Sequence, residues 1–291
     1  MELSETEREL GQFIPLHYHH SMLLDEARMS GFRAAIDYAV QPGARVLELG
    51  GGTGVLSFFA AQKAAQVWCV ERNPVLVETA RRLLAMNAVG NRVEVVQADA
   101  FDYLPPEPVD VVICEMLHVA LLREKQIPVL DAFKRRYLER FGAPLPRFVP
   151  EAYLQAVQPL QQDYRFEGYY APVPLFQNPV GTQERSIELA APVVYQSFAY
   201  DETLPEVCAW HGSITAAQGG TLDALRFITK NILAVVLETG TTIDWHNAYL
   251  LLPVDEPIAV DAGTLIDIGF SYRPGEPLDA LRPRVSVRSA G

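Results

Sequence analysis

Five residues, Gly50-Gly51-Gly52-Thr53-Gly54, follow the apolar run Val46-Leu47-Glu48-Leu49. Glycines at 50, 52 and 54 let a backbone turn tightly and approach a ligand without a β-carbon in the way. Two acids follow in order. Glu71 closes the next apolar run, where a carboxylate takes both hydroxyls of a ribose. Asp99, in Gln97-Ala98-Asp99-Ala100-Phe101, comes after the run beyond that, where it accepts from an adenine amino group. Each acid alone is more often a solvated loop residue or a helix cap. The ordered set of turn, Glu71 and Asp99 points to a ligand with a ribose and an adenine. A dinucleotide fits less well, because its pyrophosphate fingerprint is GxGxxG. Here the glycines at 50, 51, 52 and 54 lead into Val55-Leu56-Ser57, and Glu48 ahead of the turn would repel a phosphate and suit a cationic ligand.

The elements that must position these residues are legible as two patterns. Through residue 145, helix-like and strand-like segments alternate. Apolar spacing predicts a helix over residues 21–40, stopping before Pro42-Gly43. Strands are expected over 45–49, 65–71, 93–97 and 109–114. Helices are expected over 55–63, 75–88 and 124–141, the last ending at Gly142. This is the βαβ signature of a parallel sheet, with ligands gathered at the carboxyl ends of the strands. From residue 147 onward the chain is mostly short β-branched runs broken by Pro and Gly. Strands are expected over 153–157, 193–197, 232–237, 245–252 and 265–272, which read as a barrel or sandwich. The expected organisation is thus a helical cofactor lid (1–40), a Rossmann-like domain (41–146) and a β-barrel-like substrate domain (147–291).

With 291 residues, 49% hydrophobic and 21% charged, the chain can bury a core without disulfides or metals. Three single cysteines form no framework, and the acidic start MELSETEREL is no secretory signal, so a cytoplasmic location is expected. A net charge of −12 disfavours nucleic acid and favours cationic partners. No apolar run reaches the ~18 residues of a membrane span. His17, His19 and His20 lack the supporting ligands of a metal site, so no metal is expected.

The glycine turn, Glu71 and Asp99 together resemble the class I S-adenosylmethionine methyltransferases over residues 45–115. That implies S-adenosyl-L-methionine as cofactor, held by Glu48, Gly50, Gly52, Gly54, Glu71, Asp99, Ala100 and Glu115. Beyond the fourth strand, Glu115 and Glu124 stand nine residues apart, and this segment resembles the double-glutamate loop of the protein arginine methyltransferases. By that resemblance the two glutamates bracket a target guanidinium, whose planar fork of five donors suits two bidentate carboxylates. Taken alone, Glu124 reads as a helix-start residue favoured by the dipole. The run Met22-Leu23-Leu24-Asp25-Glu26-Ala27-Arg28 resembles that family's N-terminal helix. It implies Arg28 on the methionine carboxylate and Met22 beside the sulfonium. Arg147-Phe148-Val149-Pro150-Glu151 resembles the crossing into the family's barrel, and Thr242-Ile243-Asp244-Trp245-His246 falls on its Thr-His-Trp motif.

The departures from the family are specific. Phe13, with Leu10 and Gly11 nearby, stands where a tyrosine-rich helix start is expected. Met116, His118 and Val119 replace the usual aromatic pair, so Met116, His118 and Trp245 are the expected pocket walls. Asp244 takes the histidine's place and would add a third carboxylate to the pocket, raising at least one pKa unless a cation sits among them. Asp244 or His246 is then a candidate proton acceptor. The dimerisation arm is reduced to residues 163–183, which leaves a homodimer open. The resemblance implies methyl transfer to a guanidino nitrogen of a cationic protein. A small-molecule acceptor (free arginine, an amine or a natural product) and a non-catalytic cofactor-binding scaffold stand as alternatives.

Overall fold

The computed structural model describes residue 14, residues 16–181 and residues 183–288. The expectations for residues 1–13, Phe13, Leu10 and Gly11 among them, lie outside the described residues. The single helix expected over 21–40 is two helices, α1 (Leu16–Leu24) and α2 (Glu26–Ala39). Asp25 separates them. Its backbone is extended (φ −74°, ψ 90°), and its carboxylate accepts from the Arg28 N–H at 2.9 Å, so it caps α2 instead of continuing α1. Helix α2 buries Phe32, Ala35, Ile36 and Ala39, one face at helical spacing, whereas α1 buries no side chain.

Five parallel strands, β1 (Arg45–Leu49), β2 (Gln66–Glu71), β3 (Val93–Gln97), β4 (Val111–Cys114) and β5 (Arg147–Val149), make a sheet of order β3-β2-β1-β4-β5. The central strands are buried on both faces, which is why they read as continuous apolar runs. Helices α3 (Val55–Ala60), α4 (Pro74–Ala85) and α5 (Gln126–Phe141) make the crossovers. Pro74 and the Asn73 cap start α4, and Gly142 at φ 77° ends α5. The strand order reverses between β1 and β4, so the loops after those two strands face a common crevice. Helix α5 begins at Gln126, and Glu124 therefore stands in the loop ahead of it.

After β5 the strands are antiparallel. One sheet runs β10 (Ser186–Glu188), β6 (Ala152–Gln162), β13 (Gly220–Val236), β15 (Tyr249–Val260), β9 (Leu175–Gln177), with β11 (Val193–Ala199) also on β6 and β14 (Thr241–His246) on β13. A second runs β12 (Cys208–Thr215), β16 (Leu265–Tyr272), β17 (Arg284–Arg288). The sheets face each other across Tyr195, Phe227 and Phe270, whose rings meet at 4.9 and 5.3 Å. No ladder joins them among the described residues, so of the expected barrel or sandwich the arrangement is two packed sheets. The large sheet ends on the three-residue strands β9 and β10, too short to continue into the other. The strand expected over 245–252 is interrupted at Asn247-Ala248, and β12 and β17 have no counterpart among the expected strands. In the arm, β7 (Arg165–Phe166) and β8 (Tyr169–Tyr170) form a short hairpin that leaves Tyr169 74% exposed. No described helix is long and apolar enough to cross a membrane.

Candidate active site

The glycine turn is built by local bonds. Gly50 and Gly51 both donate to the Val70 carbonyl, at 2.9 and 2.8 Å, and Gly54 donates back to Gly51. Gly50, Gly52 and Gly54 have φ of 78°, 54° and 80°, which only glycine adopts at little cost. The chain comes close on both sides of the turn. A β-carbon on Gly52 would lie 2.9 Å from His19 Cε1, and one on Gly50 3.0 Å from Met116 Cγ. Gly54 packs on Leu84 and Ala80 and does not line the cavity, so it shapes the turn from behind instead of touching a ligand.

Above the turn lies a cavity of about 1060 Å³, counting its mouth. Met22, Arg28, Gly50, Gly52, Glu71 and Asp99 line it. So do Ala100, Glu115, Met116 and Glu124, so the two glutamates share one space with the expected cofactor residues. Glu71 accepts from Gly52 N–H at 2.9 Å and Asn73 N–H at 2.8 Å, which fixes its carboxylate at the end of β2. Asp99 accepts from Phe101 N–H at 3.0 Å and lies 3.6 Å from Arg72.

Glu48 also lines the cavity. It is 2% exposed, and its carboxyl accepts from the Ser57 N–H and hydroxyl. Burial pushes its pKa up to about 8, and the Ser57 bonds tie it to the start of α3.

The Arg28 guanidinium pairs with Glu115 and stacks 5.2 Å over the Trp245 ring. The indole N–H of Trp245 donates to Asp25 at 3.3 Å. Burial raises the Glu115 pKa against the pull of Arg28. Glu124 is pushed up to about 8 by burial and then by the Glu115 charge. On its own, the pair keeps a proton at neutral pH, and a bound cation would release it.

Besides Gly54, four expected residues lie outside the cavity lining: His118, Asp244, Trp245 and His246. Asp244 and His246 share the face of β14 that carries Asp244 to Lys230, at 2.6 Å. The expected third carboxylate is thus neutralised on the sheet, and Trp245, on the opposite face, packs against Phe32 and Arg28. Burial, then Lys230, lowers the His246 pKa. His118 sits edge-on to Phe176, and burial holds its pKa down to about 4, so it is neutral at pH 7.

One lining residue carries no role in the sequence reading. His19, on α1, closes over Gly52, and its buried Nε2 has no partner among the described residues. Burial, then Arg28, lowers its pKa. A glycine cradle with no room for β-carbons, fixed carboxylates at two strand ends and an unpaired imidazole nitrogen fit a ligand that is partly nucleoside and partly charged amino acid. Arg28, Arg72 and Lys125 are the cations that line the cavity among the described residues, and Arg28 lies between Glu115 and the Trp245 ring.

Comparison with known proteins gives a consistent result. A family model described as a methyltransferase domain matches residues 46–138. An uncharacterized protein of Methanothermobacter thermautotrophicus is 30% identical over 269 residues, 92% of this chain and 97% of that one. Protein arginine N-methyltransferase 6 of Xenopus laevis is 31% identical over 149 residues, covering 50% of this chain and 44% of that protein. The structure of the Trypanosoma brucei PRMT1 enzyme-prozyme heterotetrameric complex with AdoHcy superposes with a TM-score of 0.71 at 16% identity, over 94% of this chain and 98% of that one.

Proposed function

The chain belongs to the class I S-adenosylmethionine-dependent methyltransferases and resembles the protein arginine methyltransferases, and on that premise we propose that it transfers a methyl group to a guanidino nitrogen. The observation that carries this reading is the pairing of Arg28 with Glu115 in the cavity that Glu124 also lines: the pocket already seats one guanidinium.

The cofactor supplies an electrophilic methyl group on a sulfonium. Glu71 and Asp99 would hold its ribose and adenine, Gly50 and Gly52 would leave the backbone bare for it, and Arg28 and His19 would hold its amino-acid end. Glu115 and Glu124 orient the acceptor. Two carboxylates on one planar fork fix its rotation and draw its positive charge toward the gripped nitrogens. The remaining nitrogen keeps more of its lone pair and is held toward the methyl carbon. Most of the rate enhancement then comes from positioning and preorganised charge. The proton lost from the acceptor leaves to solvent or through the glutamate pair, whose raised pKa values suit a transient acceptor.

A second reading keeps the chemistry and changes the carrier. The segment where the resemblance implies a dimerisation arm holds, among its described residues, a hairpin of two-residue strands. So small an arm favours a free small-molecule guanidine as acceptor. Both readings are tested with Glu124→Gln and a panel of free arginine, an Arg-Gly-rich peptide and small amines, using isotopically heavy cofactor and mass spectrometry. Wild type should label a guanidino compound. Glu124→Gln should lose about a thousandfold in kcat/KM, the scale of one preorganised charge, with cofactor affinity within a few-fold. Unchanged turnover in Glu124→Gln sinks the guanidine reading.

A further inference from the structure

The two glutamates stand at the ends of one loop, residues 115–124, and its backbone is not one that such a sequence adopts unaided. Ala120, Leu121 and Arg123 have φ of 57°, 56° and 64°, the left-handed region that is unfavourable for any residue with a β-carbon. None of the three is Gly, Asn or Asp. A backbone of this kind persists only where its surroundings over-determine it, and such places cluster at functional sites.

The surroundings are the antiparallel half of the chain. The Ala120 N–H donates to Thr229 Oγ1 at 2.9 Å, and the Leu121 N–H to the Tyr153 hydroxyl at 3.0 Å. Those two hydroxyls lie 3.2 Å apart and hydrogen-bond each other. Both residues are fully buried, on the neighbouring strands β13 and β6. Farther along the loop, Gly275 donates to the Leu121 carbonyl at 2.7 Å and Arg123 donates to the Glu276 carbonyl at 2.6 Å. Before the bend, Asn247 donates to the Leu117 carbonyl at 3.1 Å. The parallel half contributes Gln126, which accepts from the Met116 N–H and donates to the Cys114 carbonyl.

Most of these bonds are backbone to backbone or lie at the loop's margins. Thr229 and Tyr153 are the side chains that meet the left-handed turn itself, at Ala120 and Leu121, and they hydrogen-bond each other. We infer that Thr229 is a positioning residue for methyl transfer: its hydroxyl, with that of Tyr153, holds the bend that sets the separation of Glu115 and Glu124. The inference rests on the reading of those glutamates as the acceptor grip, and it gives the antiparallel half a part in the chemistry at a distance from the acceptor.

The test uses the full chain with Thr229→Val, which keeps the shape and removes the acceptor oxygen, and Thr229→Ser, which keeps the oxygen. Turnover is measured on whichever compound of the panel above wild type methylates fastest, cofactor affinity by calorimetry, and amide exchange of residues 116–125 by mass spectrometry on the cofactor-bound protein. Thr229→Val should lose between about tenfold and a hundredfold in kcat/KM, the cost of misplacing a group by ~1 Å. Its cofactor affinity should stay within about twofold, and exchange in the loop should rise about tenfold while other segments hold. Thr229→Ser should restore both turnover and protection. Wild-type turnover in Thr229→Val, unchanged loop exchange, or a loss of cofactor affinity that matches the loss of turnover and is not rescued by serine overturns the inference. If Glu124→Gln is inactive while Thr229→Val is active, only this positioning role falls. If Glu124→Gln is active, the grip itself falls.

Discussion

The turn after β1 and the loop after β4 occupy neighbouring sheet positions and open on the same cavity, yet they are built in opposite ways. Residues 50–54 reach the left-handed region with glycines, and their bonds close within the turn or onto Val70 of the adjacent strand. Residues 115–124 reach it with alanine, leucine and arginine, and besides local bonds such as Leu121 N–H to His118 and Glu124 N–H to Leu122 they bond Tyr153 and residues more than a hundred positions away in Thr229, Gly275 and Glu276. The first arrangement is self-sufficient and leaves the backbone bare for a ligand. The second is conditional. It requires the antiparallel half to be folded and docked, and it keeps side chains on the loop for the acceptor to meet. On the proposed function, a cofactor common to a large enzyme class would be served by a local device, and acceptor geometry by long-range tertiary contacts.

The largest expected effect that sharpens this contrast is on pH. With the Glu124 pKa near 8, the glutamate pair holds a proton at neutral pH, and a cationic acceptor must displace it. The second-order rate constant for the acceptor should therefore rise about tenfold per pH unit up to about pH 8 and then level. Cofactor binding alone should be nearly flat over the same range. The sign for stability is the reverse. Both states are protonated below the ordinary glutamate pKa; as pH rises the unfolded chain ionises while buried Glu48 and Glu124 do not, so the ligand-free melting temperature should fall between about pH 5 and 8. A stability that rises through that window would contradict the assignment.

Exchanging glycine and alanine between the two loops sharpens it further. Gly52→Ala puts a β-carbon at φ 54° and 2.9 Å from His19 Cε1. The strain of ~1–2 kcal/mol should appear as about a tenfold loss of cofactor affinity by calorimetry, with turnover at saturating cofactor nearly kept. Ala120→Gly is the smallest effect. Relief of the left-handed backbone and the added freedom of the unfolded chain roughly cancel, so thermal unfolding should shift by less than ~1 kcal/mol. Equal losses of cofactor affinity in both variants would erase the distinction between the loops.

What was legible in the sequence follows the same division. The glycine turn, Glu71 and Asp99 were readable because their partners lie within a strand or turn of them and the apolar runs between mark the sheet. Asp25 is legible in principle: an aspartate followed by an acid in a helix's first turn is an N-cap signal, and it divides α1 from α2. Glu124 was expected on a helix because Gln126 and Ile127 continue its spacing, whereas the left-handed Arg123 breaks the chain's direction just before it. Thr229 and Tyr153 carried no signal. Each sits in an apolar strand, and only strand pairing that joins distant segments turns a threonine and a tyrosine into partners for residues 120 and 121. Asp244 misled for a similar reason, since its countercharge Lys230 is fixed by the β13–β14 ladder and not by local spacing.

Trp245 also has an optical consequence. Its ring lies under the Arg28 guanidinium, and its indole N–H is bonded to Asp25, the residue at the joint between α1 and α2. A charge that moves across an indole shifts the energy of its excited state. When Arg28 changes partners, the emission colour of this tryptophan changes with it. The chain carries its own fluorophore beside the guanidinium that pairs with Glu115.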